Sequence, residues 1–143
     1  MALTAQEIEQ SIKEWVPMAK DIGFKVEEVR EGFGRVRIPF QSKHIRPGGT
    51  ISGPVMMTAA DTAMYVAILG SLGGMAMAVT SNLNINFLKR PEQRDLIADA
   101  SIIKLGKRIA FCEVAIRCEG ADELVAHVTG SYSLPPSETI GVK

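Results

Sequence analysis

Between Arg46 and Lys89 the chain carries one charged side chain, Asp61. The centre of that stretch, TISGPVMMTAADTAMYVAILGSLGGMAMAV, is otherwise apolar or small. A segment so poor in charge must be covered, either by the rest of the chain or by lipid. A carboxylate inside it needs compensation, because ionising a carboxyl away from water costs several kcal/mol. The stretch therefore sets two expectations: an element buried on nearly all sides, and a use for Asp61.

Residues 62–80 are uncharged and about as long as a membrane-spanning helix requires. However, Gly70, Gly73 and Gly74 interrupt them, and glycine pairs of this kind end helices in soluble proteins. The first half also continues the pattern that holds Asp61. A core helix is expected here and no membrane span. The N-terminal MALTAQEIEQSIKEW is acidic and amphipathic, without the basic, apolar and small-residue regions of a signal peptide. A formal net charge of zero argues against nucleic acid as the main partner. Cys112 and Cys118 fit neither a zinc knuckle nor a redox pair, and two cysteines make no disulfide framework. On a strand they share a face, which reads as buried free thiols and fits a reducing cytoplasm. No His, Asp or Glu cluster has metal-ligand spacing.

Periodicity orders the elements. Thr4 caps a first helix with Glu7 completing a capping box, and Ile8, Ile12, Trp15 and Val16 recur at helical spacing until Pro17 ends or bends it. Residues 24–29 and 33–38 read as strands joined at Glu31-Gly32. A Pro- and Gly-rich loop spans 44–53. Residues 54–69 read as a helix with Pro54 at its first position, apolar nearly all round and so in need of a wrapper. Met77, Val79, Leu83, Ile85 and Phe87 alternate with Ala78, Thr80, Asn82, Asn84 and Asn86 as a strand. Ser81 is a polar exception on the apolar side. Residues 95–105, 108–118 and 123–134 read as three more strands. The expectation is one α+β domain over 1–143: an N-terminal helix and lead-in over 1–22, a curved antiparallel sheet around the central helix, and a loose tail over 135–143.

The segment RPGGTISGPVMMTAADTA, from Arg46 to Ala63, resembles the signature of hotdog-fold acyl-CoA thioesterases of the PaaI-like family. That signature runs Asn, Gly, His-Gly-Gly, a run of small or apolar residues, then Asp or Glu. NLNINFLKRP and KLGKRIAFCEV resemble the family's third strand and its paired long strands. The resemblance implies the hotdog fold, in which the sheet wraps the helix that carries the carboxylate. It also implies homodimers, often paired into tetramers, with sites at the subunit interface. There the helix carboxylate comes from one subunit, and an amide at the N-terminus of the other subunit's helix binds the thioester oxygen. The chain departs from the signature at Ser52, where His is usual, at Pro54, where the second Gly is usual, and at Arg46, where Asn is usual.

With the resemblance, Asp61 is the expected general base or nucleophile for thioester hydrolysis. Its plain alternative is a helix residue bonded to a loop or facing solvent. Pro54 has no N–H, so the Gly53 amide is the expected oxyanion donor; otherwise Gly53 only permits a tight loop. Thr80 falls where family members place a hydroxyl that orients water, and it is predicted to share a face with Asn82 and Asn84. Ser52 supplies a hydrogen bond in place of the His, or caps the helix. Arg46, Asn82, Lys89, Arg90, Gly106, Lys107 and Arg108 are the candidate substrate contacts, with Gly106-Lys107-Arg108 at a place where the family contacts coenzyme A. The other reading of these cations, with Lys104, is solvated turns. His44 and His127 read as packing or surface residues. Met56, Met57, Met64, Met75 and Met77 line an acyl pocket or are simply core. Acyl-CoA hydrolysis without cofactor or metal is the first functional expectation. A non-catalytic CoA- or acyl-binding module is the second, favoured by Ser52 and Arg46. A hydratase is a weaker third, lacking a His on the helix.

Overall fold

A computed structural model describes residues 3–73 and 77–136 of the protein. Thr4 caps α1 (Ala5–Trp15) as its sequence requires: its hydroxyl accepts from the Glu7 N–H at 3.1 Å, and the Glu7 carboxylate accepts from the Thr4 N–H at 2.9 Å. Ile8 and Ile12 are the buried stripe of α1. Pro17 does not end helical structure. Val16 leaves the helical region (φ −130°, ψ 80°), the conformation that a β-branched residue before proline favours, and Pro17 starts a second short helix, α2 (Pro17–Ile22).

The central helix α3 (Gly53–Leu72) begins one residue before Pro54 and runs past the expected end at Leu69. Gly70 does not break it. A Cβ there would stand 2.3 Å from Val29 Cγ2, so this glycine lets β1 (Lys25–Arg30) lie against the helix. The stop is Gly73, left-handed at φ 71°, the position where glycine is least costly. The expectations at Gly74 and Met75, and for most of the tail from residue 135, lie outside the described residues. By length and hydropathy α3 matches a membrane span, yet 67% of its apolar window is buried within the protein.

The wrapper is a six-stranded antiparallel sheet in the order β1-β2-β4-β5-β6-β3, with β2 Phe33–Ile38, β3 Val79–Phe87, β4 Leu96–Leu105, β5 Ile109–Cys118 and β6 Leu124–Ser133. Ala59, Ala60, Ala63, Val66 and Ala67 on α3 have no exposed surface and fill the concave face with Val36, Val114 and Val128. The convex face is solvated and ion-paired. Arg35 and Arg117 share Asp99 at 2.6 and 3.1 Å, and Arg37 bridges Asp95 and Glu119 at 2.9 and 3.0 Å. Cys112 and Cys118 are buried free thiols, and burial pushes the Cys112 thiol up to about 11.

One expectation fails in β3. Thr80 stands opposite Tyr132 but Asn82 stands opposite Ser131, so Ser81 is the extra residue of a β-bulge. Alternation reverses there. Thr80 shares the inner face with Tyr132, whereas Asn82, Asn84 and Asn86 oppose Ser131, Thr129 and His127 on the other face. Thr80 therefore does not share a face with Asn82 and Asn84, and the polar exception at Ser81 was the trace of the bulge.

Helix and sheet touch most closely at Gly34. A Cβ there would lie 2.9 Å from the Ala67 backbone nitrogen and 2.8 Å from Val66 Cγ1. Gly34→Ala should gain about 0.4–1 kcal/mol from the stiffer unfolded chain but lose about 1–3 kcal/mol to overpacking against backbone that cannot yield. Urea unfolding should show net destabilisation; a variant as stable as the wild type would contradict this close approach.

Candidate active site

Asp61 lies midway along α3 at the floor of a cavity of about 600 Å³. It is half-buried rather than sealed. Its Oδ1 accepts two hydrogen bonds, from the Thr80 hydroxyl at 2.6 Å and from the Tyr132 phenol at 2.8 Å. The same phenol lies 2.9 Å from the Asp61 backbone carbonyl. Oδ2 accepts from no described group. The bulge at Ser81 makes this cluster possible, because it turns Thr80 inward opposite Tyr132. Tyr132 is buried and its ring stacks on Tyr65, with centroids 5.9 Å apart at 13°. Burial, reinforced by the Asp61 charge, holds the Tyr132 proton well above the usual phenol range, so the residue remains a donor. The cavity walls are apolar: Ile12 and Trp15 from α1, Ala19 from α2, Tyr65 from α3 and Val79 from β3. Asp61 is the one charged side chain among its described lining residues.

Gly53 opens the same helix, but eight residues away, which is about 12 Å along the axis at 1.5 Å per residue. Ser52 is the N-cap by position, yet its side chain makes no capping bond; its N–H donates to the His44 carbonyl at 2.9 Å. The Gly53 N–H is one of the first-turn amides without a helical partner and donates to no described group. The ring of Phe87 packs beside it, 3.3 Å from where a Cβ would stand. A second cavity of about 450 Å³ opens here, lined by Gly53, Arg46, Phe87, Lys89 and Arg90. Arg46 closes the tight RPGGT turn, donating its N–H to the Thr50 carbonyl at 2.9 Å and accepting from the Gly49 N–H at 3.0 Å. Lys89 pairs with Glu123 at 3.0 Å, which raises its pKa. Arg46 and Arg90 have no ion-pair partner among the described residues.

Lys104, Gly106, Lys107 and Arg108 line a third cavity of about 360 Å³ with Ile109 and Phe111, and these cations too are unpaired among the described residues. The structure thus joins Asp61 with Thr80, and Gly53 with Arg46, Lys89 and Arg90. It leaves Gly106-Lys107-Arg108 apart and Asn82 exposed on the outer side of β3. His44 is a packing residue: it is buried, with Nε2 2.9 Å from the Ile22 carbonyl and Nδ1 accepting from the Gln41 N–H at 3.3 Å. His127 lies 3.4 Å from Glu113. Of the methionines, Met77 lines the Asp61 cavity, Met56 the Gly53 cavity, Met64 is core and Met57 is exposed. No metal-ligand cluster occurs among the described residues.

Sequence reasoning missed Tyr132. The signal was present: Ala126, Val128, Gly130 and Tyr132 alternate on one face of β6, and Tyr132 is the only member with a polar group.

A model of the thioesterase superfamily matches residues 48–125, more than half of the chain. The protein belongs to that superfamily. A relative in Halobacterium salinarum, named an esterase by inference, is 34% identical over 100 residues, covering 66% of this chain and 66% of that protein. A solved structure from Silicibacter, assigned as a thioesterase by inference, is 35% identical, covers 94% of this chain and 93% of its own, and superposes with a TM-score of 0.85. The PaaI protein of Escherichia coli is 24% identical, covers 92% of this chain and 93% of its own, and shares the fold at a TM-score of 0.80. The hotdog architecture expected from RPGGTISGPVMMTAADTA is thus that of this thioesterase-superfamily chain, and the PaaI protein shares it.

The free amide at Gly53 gives a direct prediction. Gly53→Pro deletes that N–H at the first helical position, after an extended Ser52 (φ −74°, ψ 154°) that accepts a following proline, and the Cβ it adds beside Phe87 is shared by Gly53→Ala. If the amide binds a developing oxyanion, kcat should fall about 10²–10³-fold, while Gly53→Ala, which keeps the N–H, should retain most activity. Equal activity of the two variants would contradict the role.

Proposed function

We propose that this thioesterase-superfamily chain hydrolyses acyl-CoA thioesters at a site completed by a second copy of itself. The observation that carries the reading is the Asp61 carboxylate: Oδ1 is held by two hydroxyls, Oδ2 is unbonded among the described residues, and the residue lines an apolar cavity. Asp61 acts on water as a general base, or attacks the thioester carbonyl itself to form an anhydride that water cleaves. In either route the carbonyl oxygen gains charge, and an unspent amide at a helix N-terminus is the group that stabilises it. The coenzyme A thiolate then leaves.

The geometry favours two copies. About 12 Å of helix separates Gly53 from Asp61 within one chain, whereas reacting groups must stand about 3–3.5 Å from one carbonyl. Strand β3 has a free edge and carries exposed Val79 and Phe87, with exposed Leu88 following it, which suits pairing with a second copy. In this reading the acyl group enters the apolar cavity beside Asp61, and the phosphates of coenzyme A lie along unpaired cations, Arg46 and Arg90 or Lys107 and Arg108. Ser52, whose hydroxyl makes no capping bond, contacts the thioester in this reading. The cytoplasm, where coenzyme A thioesters and reduced thiols coexist, is the proposed compartment.

Thiol release from a panel of acyl-CoAs tests the reading. Asp61→Asn should lower kcat about 10²–10⁴-fold. Arg46→Ala with Arg90→Ala should raise KM several-fold with kcat retained, as expected of exposed charges. Fatty acyl groups should be cleaved ahead of dicarboxylic ones, because the described lining of the cavity offers no cation and Asp61 repels a second carboxylate. In a single turnover in ¹⁸O-water, label on the Asp61 peptide identifies an anhydride opened at the Asp61 carboxyl carbon, an outcome that direct attack of water on the thioester does not give. Tight CoA binding without release across the panel would overturn hydrolysis in favour of a binding module.

A further inference from the structure

We propose that Tyr132 is a positioning residue for this hydrolysis: it fixes the Asp61 carboxylate so that Oδ2 is the oxygen that meets water or the thioester carbon. The inference rests on the role proposed above for Asp61.

Tyr132 bridges two acceptors of one residue, the backbone carbonyl at 2.9 Å and Oδ1 at 2.8 Å. A donor shared in this way ties the end of a side chain to its own backbone, so the carboxylate cannot rotate about its χ angles without giving up the phenol. Thr80 holds the same oxygen from the neighbouring strand, directly opposite Tyr132 in the ladder. Both donors are therefore spent on Oδ1 and neither on Oδ2. Tyr132 is itself rigid, being 3% exposed and stacked on Tyr65. The restraint thus runs from the core of β6 to the reacting carboxylate. Displacement of a catalytic group by about 1 Å can cost about 100-fold in rate.

A purely structural tyrosine would also bury its ring and satisfy its hydroxyl. The two readings separate in kinetics. Tyr132→Phe keeps the ring and the stack on Tyr65 and removes only the donor. The expected result, on the acyl-CoA that the wild type turns over fastest, is a fall in kcat of about 10- to 100-fold with KM unchanged. The acid limb of the kcat–pH profile should move to higher pH, because a donor that favours the ionised carboxylate is gone. The groups facing Asp61 across the cavity are Thr80 from β3, Tyr65 from α3 and Trp15 from α1, and no other charged side chain lines it among the described residues, so a moved limb reports on this pair. A folded Tyr132→Phe with unchanged kcat, or with its loss confined to KM, would overturn the proposal. If Tyr132→Phe does not fold, 3-fluorotyrosine at position 132 makes the phenol a stronger donor and should move the acid limb to lower pH; an unmoved limb overturns the proposal. Asp61→Asn serves as the control: full activity there would sink the role of Asp61 itself, whereas an inactive Asp61→Asn beside a fully active Tyr132→Phe would sink only this inference.

Discussion

The structure depends on enclosing a helix that has no polar side. α3 is apolar around nearly its whole circumference, so no two-layer packing could cover it, and a sheet must curve around it. Close approach makes the enclosure tight. Gly34, Gly70 and Gly130 each stand where a Cβ would collide with, respectively, α3 itself, Val29 of β1 and Met64 of α3. Having sealed the helix, the fold must accommodate Asp61. It does so with an opening at the α1, α2 and β3 side and with two hydroxyl donors on Oδ1. Each such charge-assisted bond is worth about 1.5–3 kcal/mol, which offsets the cost of half-burying the carboxylate.

Charge is segregated along this scaffold. On the convex face Arg35, Arg37 and Arg117 are all spent on carboxylates. Around the N-terminus of α3 and at the β4–β5 turn, Arg46, Arg90, Lys107 and Arg108 have no such partner among the described residues. An apolar cavity with a carboxylate lies partway along α3 and a cationic cavity with a free amide lies at its start. A ligand with an apolar acyl end and a polyanionic end matches that division, and in the proposed site a second copy brings the start of its helix to the carbonyl that Asp61 of the first copy serves.

Much of the fold was legible because the patterns were strong. The capping box at Thr4, the alternation in β4 to β6 and the long apolar run each had one physical solution. The extent of α3 was misread because Gly70 looks like a breaker in sequence and acts as a packing contact in three dimensions. Pro17 hid a second helix, since proline both ends one helix and starts another. At the site, Asp61, Thr80 and Gly53 stood out by type and position, but the face of Thr80 was misassigned: a bulge adds one residue and reverses parity, and only the paired strand reveals it. Tyr132 lies 71 residues from Asp61 in sequence, and its part depends on that same register.

The central claim is that one carbonyl is served by Asp61 of one copy and Gly53 of another. Subunit mixing tests it. Asp61→Asn and Gly53→Pro chains, each inactive alone, are unfolded together, refolded and assayed. In mixed dimers one of the two sites holds both intact residues, so random pairing should restore about a quarter of wild-type activity. Recovery near that level supports a shared site, and a mixture as inactive as its parents would contradict it.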